Sequence, residues 1–101
     1  MSRRRKPLPF KEINSKTLER LEALCKRWFC NGVIIKREFC VGSLKGEKGK
    51  SLKINLTTGK WCDFATGHRG KDPISLVAAM ENCRQIEAAK KLADCLGVPH
   101  D

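Results

Sequence analysis

The sequence predicts an α+β domain: a small antiparallel sheet of about three strands, with one helix before it and two after it. Three observations carry this. Apolar residues recur at helical spacing near the N-terminus and again after residue 73. Between them, β-branched and aromatic residues alternate with polar ones. Glycines and an Asp-Pro pair mark the junctions.

At 101 residues the chain has room for one domain, with 41% apolar residues to fill a modest core. Residues 1–12 are expected to form a basic flexible tail and 13–98 the folded domain. The tail contains Ser-Arg-Arg-Arg-Lys at 2–6, followed by Pro7 and Pro9; it is either a solubilising terminus or a source of phosphate contacts.

The first helix is expected from about Asn14 to Phe29. Leu18, Leu21, Leu24, Cys25 and Trp28 form one apolar stripe, so Trp28 is expected in the core rather than as a base-stacking platform. Asn14 or Ser15 supplies a cap and Asn31-Gly32 a stop. Val33 to Val41 is expected as one strand, with Ile35, Arg37, Phe39 and Val41 on one side and Ile34, Lys36, Glu38 and Cys40 on the other. An exposed loop follows, rich in glycine and lysine, from Gly42 to Lys50. The second strand, Ser51 to Leu56, turns Leu52, Ile54 and Leu56 inward and Lys53 and Asn55 outward. Thr57-Thr58-Gly59 is a hairpin turn, and Lys60 to Phe64 the third strand.

The stretch from Trp61 to Leu76 organises the rest. A strand end meets a cationic glycine loop holding Gly67, His68, Arg69, Gly70 and Lys71, closed by Asp72-Pro73. Asp is a strong N-cap and Pro suits the first helical position, so a helix start is marked twice. That helix, about Pro73 to Glu81, presents Ile74, Val77, Ala78 and Met80. Asn82 with Gln85 suggests a capping box for the last helix, which turns Ile86, Ala89, Leu92, Ala93 and Leu96 inward and ends at Gly97.

Net charge +10 favours a polyanionic partner such as nucleic acid. A membrane is not expected as a partner: no run of about 18 apolar residues occurs, and no helix joins a cationic face to a broad aromatic one. Without a secretory signal, a reducing cytoplasmic setting is expected. Six cysteines (Cys25, Cys30, Cys40, Cys62, Cys83, Cys95) lack the close pairs of a zinc site and are expected as buried thiols, with no metal and no cofactor. No carboxylate cluster for phosphoryl transfer and no nucleophile arrangement is present, so an enzyme is not expected.

Residues from about Gly42 to Val98 resemble the zinc-binding domain of bacterial and phage DNA primases, most closely the N-terminal domains of phage and plasmid primase-helicases. The resemblance rests on Gly46-Glu47-Lys48, Ser51-Leu52-Lys53-Ile54, Thr58-Gly59-Lys60-Trp61, Asp63-Phe64-Ala65-Thr66-Gly67, Gly70 to Leu76, Glu87-Ala88-Ala89 and Leu92-Ala93. It implies a small antiparallel sheet with flanking helices that contacts single-stranded template DNA. The ligand positions depart from the family: Gly42, Lys45, Asp63 and Thr66 stand where metal-binding members carry Cys or His. A fold held by its apolar core, metal-free, is therefore expected.

The expected function is a non-catalytic DNA-binding accessory protein preferring single strands. It would act as a separate polypeptide beside a primase, polymerase or helicase in replication of a phage, plasmid or other mobile element. The alternative is a protein-interaction subunit, or an inhibitor, docking on such an enzyme without holding DNA strongly. Candidate contacts are Arg37, Lys53, Asn55 and Lys60 on the strands, Lys45, Lys48 and Lys50 in the first loop, and His68, Arg69 and Lys71 in the second. Point charges suit phosphates and loop glycines admit close main-chain approach. Trp61 is either a base-stacking platform or a core tryptophan.

Overall fold

The computed structural model describes residues 9–98; residues 2–6 of the basic tail lie outside them. The described residues form an α+β fold with four helices and a five-stranded antiparallel sheet. In order these are α1 (Phe10–Glu19), α2 (Leu21–Trp28), β1 (Val33–Ile35), β2 (Glu38–Val41), β3 (Leu52–Asn55), β4 (Trp61–Asp63), β5 (Arg69–Gly70), α3 (Pro73–Glu81) and α4 (Gln85–Leu96). The strands lie side by side in chain order, a meander. Among the described residues no helix is long and apolar enough to cross a membrane.

The N-terminal helix is two helices and starts earlier than expected, so residues 10–12 belong to α1 rather than to a tail. The break is at Arg20, whose N–H donates to Thr17 O at 3.0 Å, a tightened last turn. One turn earlier the Thr17 hydroxyl donates back to Ile13 O at 2.7 Å. Such back-bonding bends helices, which accounts for a break with neither Gly nor Pro to signal it. Asn14 sits inside α1 and caps a different helix: its Oδ1 accepts the Ile74 N–H of α3 at 3.0 Å.

The single strand expected over Val33–Val41 is a hairpin. Lys36 and Arg37 both take positive φ, 51° and 64°, and form a two-residue turn between Ile35 and Glu38. Asn or Gly normally fills such a turn, so no local signal announced it. Neighbouring strands hold it: Leu56 N–H donates to Arg37 O at 2.9 Å, and Arg37 Nε donates to Thr57 Oγ1 at 3.3 Å. The expected alternation therefore survives within β2, where Phe39 and Val41 face one way and Glu38 and Cys40 the other, but not across the turn. Ile35 pairs with Glu38 on the opposite face. The fifth strand, Arg69–Gly70, lies inside what was expected to be loop.

The start of α3 is as expected. Asp72 Oδ1 accepts Ser75 N–H at 2.8 Å, the Ser75 side chain closes the reciprocal bond, and Pro73 follows the cap. Asn82 does not open α4; it ends α3 in the left-handed conformation (φ 53°). The cap of α4 forms instead at Arg84, whose N–H donates to Glu87 Oε1 at 3.1 Å. Gly97 closes α4 with φ 74°. Ile86 is exposed, and Ala88 takes the buried place on that helix.

Two apolar clusters form the interior. The first lies on the inner face of the sheet, where Phe39, Val41, Leu52, Ile54 and Trp61 meet Leu21, Cys25 and Phe29 from the N-terminal helices and Leu76 of α3. The second joins Ile13 of α1 to Ile74, Val77 and Ala78 of α3 and Ala88, Ala89, Leu92 and Ala93 of α4. Trp28 packs against both, so it is a core residue. Only Cys25 and Cys40 are the buried thiols expected; Cys62 and Cys83 are half-buried, and Cys30 and Cys95 are exposed. Burial pushes the Cys25 thiol pKa up to about 12.

Candidate nucleic-acid interface

The sheet register sorts every strand residue onto one of two faces. Phe39, Ile54, Trp61 and Gly70 form one inward row, and Val41, Leu52 and Asp63 the next. The outward row runs Val33, Cys40, Lys53, Cys62, Arg69. Beside it lie Ile35, Glu38 and Asn55, with Lys60 at the end, where its carbonyl accepts Asn55 N–H at 2.8 Å. The helices' apolar residues pack on the inward rows, so the outward rows are the sheet's open face, within which only Cys40 is itself buried.

Trp61 is not a stacking platform. It is 5% exposed, and its indole N–H donates to Ser75 Oγ at 2.9 Å. Gly70 lies across from it, and a Cβ there would overlap the Ser75 hydroxyl and the indole nitrogen. The glycine is what lets β5 and α3 close over the ring.

Among the described residues the exposed aromatic on this face is Phe64, at 68%, which the sequence reasoning did not single out as a contact. Its N–H donates to Ser51 O at 2.8 Å, anchoring its backbone to the start of β3. Asp63 just before it is buried, and its carboxylate accepts Ala65 N–H at 2.9 Å. The same residue's carbonyl accepts Gly67 N–H at 2.7 Å, and its N–H donates to His68 O at 2.7 Å. A tightly bonded loop therefore fixes the backbone from which Phe64 projects. Lys53 Nζ lies over one face of the ring, 5.7 Å from its centroid. Phe64, Lys53, Lys60, Cys62, Glu38 and Asn55 line a shallow groove of about 220 Å³.

The other expected contacts fall into place around this face. Lys53, Asn55, Lys60 and Arg69 are on it, although Asn55 is committed to the β3–β4 turn: its Oδ1 accepts Thr57 N–H and Thr58 N–H at 2.8 and 2.9 Å. Lys45, Lys48 and Lys50 are exposed in the β2–β3 loop, at the end of the sheet where Phe64 stands. His68 is exposed in the β4–β5 loop at that same end. Arg37 belongs to the β1–β2 turn at the opposite end, and the exposed Lys71 follows β5.

Charge follows the sheet. Residues 33–71 carry nine Lys and Arg against three acids, Glu38, Glu47 and the buried Asp63. The helical segments 10–28 and 72–96 are close to neutral, with eight cations and seven acids. The ion pairs Glu22–Lys26, Glu81–Lys91 and Arg84–Glu87 all sit on helices, and Glu81 raises the Lys91 pKa through its hydrogen bond. None of these pairs engages a sheet lysine or arginine.

Among the described residues no group of three or more His, Cys, Asp or Glu side chains is placed to hold a metal ion. Comparison with protein-family models, with curated proteins and with solved structures found no match to this chain.

Proposed function

We propose that this protein binds single-stranded DNA without catalysis, laying the strand across the open face of its sheet. One observation carries the proposal: a phenylalanine ring, largely exposed and rigidly mounted, stands among lysines on an uncovered sheet face. An unpaired base can stack on the free side of that ring, whereas duplex bases are already stacked on one another. Lys53, Lys60 and Arg69 supply point charges for the flanking phosphates, with Lys45, Lys48 and Lys50 beyond the Phe64 end. The primase-like order of motifs from Gly42 to Val98 supports a place beside a primase, polymerase or helicase in replication of a phage, plasmid or other mobile element.

The test is fluorescence anisotropy of labelled oligonucleotides. Single strands should bind with micromolar or tighter affinity at low salt, and more tightly than duplex of the same sequence. Three phosphate contacts give a log–log salt slope of about −2, so affinity should fall about 20-fold between about 50 and 200 mM salt. Salt-independent binding, or none, ends the proposal.

A second reading, a subunit docking on a replication enzyme, is favoured by a different observation. Val33, Ile34 and Ile35 of the outermost strand are 46%, 39% and 42% exposed. Association with an enzyme partner that survives nuclease treatment would support it.

A further inference from the structure

The two edges of the sheet are built differently. At one, β5 is only two residues long, and α3 follows closely and packs against it. At the other, β1 is Val-Ile-Ile, without the Lys, Pro or bulge that commonly blunts an edge. Its side chains are exposed on both faces. Val33 and Ile35 extend the open face, and Ile34 extends the inward row of Phe39, Ile54 and Trp61 beyond the helices' cover.

The backbone at this edge has a defined polarity. In a two-residue hairpin the residues flanking the turn, Ile35 and Glu38, exchange both ladder bonds, and bonded pairs then alternate along the strands. Arg37 O accepting Leu56 N–H fits this phase, since it turns Arg37, Phe39 and Val41 toward β3. Val33 and Ile35 therefore bond to β2, while the N–H and C=O of Ile34 point away from the sheet. One donor and one acceptor flanked by β-branched side chains make the template for an added strand.

Charge selects the occupant. The strand runs directly into Lys36 and Arg37, both exposed at the hairpin tip. Residues 3–6 of the sequence are all Arg or Lys, and a second copy would bring another +10, so like charge disfavours either as the occupant. We infer that β1 receives an extended segment of a partner protein, β-branched at its centre and carrying a carboxylate opposite Lys36 and Arg37. Main-chain bonds to Ile34 supply the affinity, and the cross-strand charge pair supplies the selection.

The test uses the full chain, labelled with 15N, and two blocked peptides, Glu-Val-Thr-Val-Glu and Lys-Val-Thr-Val-Lys. Glutamate at both ends lets either strand direction meet the cationic tip. Addition of the acidic peptide should slow hydrogen exchange at the Ile34 amide, which is open in the free protein. It should also bind at least about 5-fold more tightly than the basic one, because attraction replaces like-charge repulsion. Ile34→Pro deletes the outward N–H and should abolish binding. The double substitution Lys36→Asn, Arg37→Gly suits the turn and should retain binding while erasing the preference. Equal affinity for both peptides overturns the inference, as does an Ile34 amide unaffected by millimolar acidic peptide. Protection of Ile34 that rises with protein concentration alone assigns the edge to a second copy and overturns it too. No nucleic acid enters the experiment, so its outcome is separate from that of the DNA-binding proposal.

Discussion

Replacing Phe64 with alanine isolates the stacking contribution from the charge. The ring is 68% exposed and contributes little to the core, and one of its faces is occupied by the Lys53 ammonium. One face therefore remains for one base. Base–aromatic stacking is worth about 1–3 kcal/mol by alanine substitution. A single phenylalanine face belongs toward the lower half of that range, so affinity for single strands should drop about tenfold. Folding stability should shift by no more than about 0.5–1 kcal/mol, the worth of an exposed cation–π contact. No cation is removed, so the log–log salt slope should be unchanged while the whole line is displaced. Anisotropy titrations at four or more salt concentrations, with a urea melt of each variant, measure both quantities. Unaltered affinity would refute the assignment of Phe64 as the stacking platform. A changed slope with unchanged stability would refute the separation of ring from charge.

The other expectations concern the scaffold. Gly70→Ala drives a methyl into the Ser75 hydroxyl and the Trp61 indole and should cost about 2–3 kcal/mol in urea unfolding. Gly67→Ala, whose Cβ meets nothing within 4 Å, should cost only the positive-φ penalty of about 1–2 kcal/mol. Lys36→Asn with Arg37→Gly relieves two non-glycine residues at positive φ and should raise the melting temperature by stabilising the fold about 1–2 kcal/mol. Cys25 holds its proton in the fold to about pH 12 but releases it near 9.0 in the unfolded chain. Its contribution to stability is thus complete below about pH 9 and is lost as pH rises through that window. In thiol titrations Cys30 and Cys95 should be modified in the native protein, and Cys25 only after denaturation.

Much of the helical half was legible because its signals are local. Asp72 acts through its own carboxylate on the next turn and Pro73 and Gly97 through their own backbone, and the alternation of Leu52, Ile54 and Leu56 fixes the inward face of β3. The misread elements depend on distant partners. The Lys36-Arg37 turn contains no turn-forming residue and is held by Leu56 and Thr57. The break at Arg20 lies within an unbroken apolar stripe and follows a side-chain bond from Thr17.

At the candidate interface the decisive ambiguity was the phase of β4. Trp61 and Phe64 are three apart, so they cannot share a face of a regular strand. Hydrophobicity favours the wrong choice, because turning Trp61 inward also turns Asp63 inward. That phase is tolerable only because the Asp63 carboxylate takes up the Ala65 N–H within its own loop. A polar residue able to satisfy itself locally was the signal that could have revealed Phe64.

The position of α3 bears on how the protein comes apart. It sends Leu76 into the apolar cluster beneath the sheet and Ile74, Val77 and Ala78 into the one between the helices. Its first turn is tied by Ile74 to Asn14, 60 residues away. Neither half can melt while this shared helix stays seated, and neither keeps its seal once it leaves. Heating should therefore give a single calorimetric peak whose width matches the full enthalpy, and the slowest-exchanging amides should lie in α3 and the strands below it.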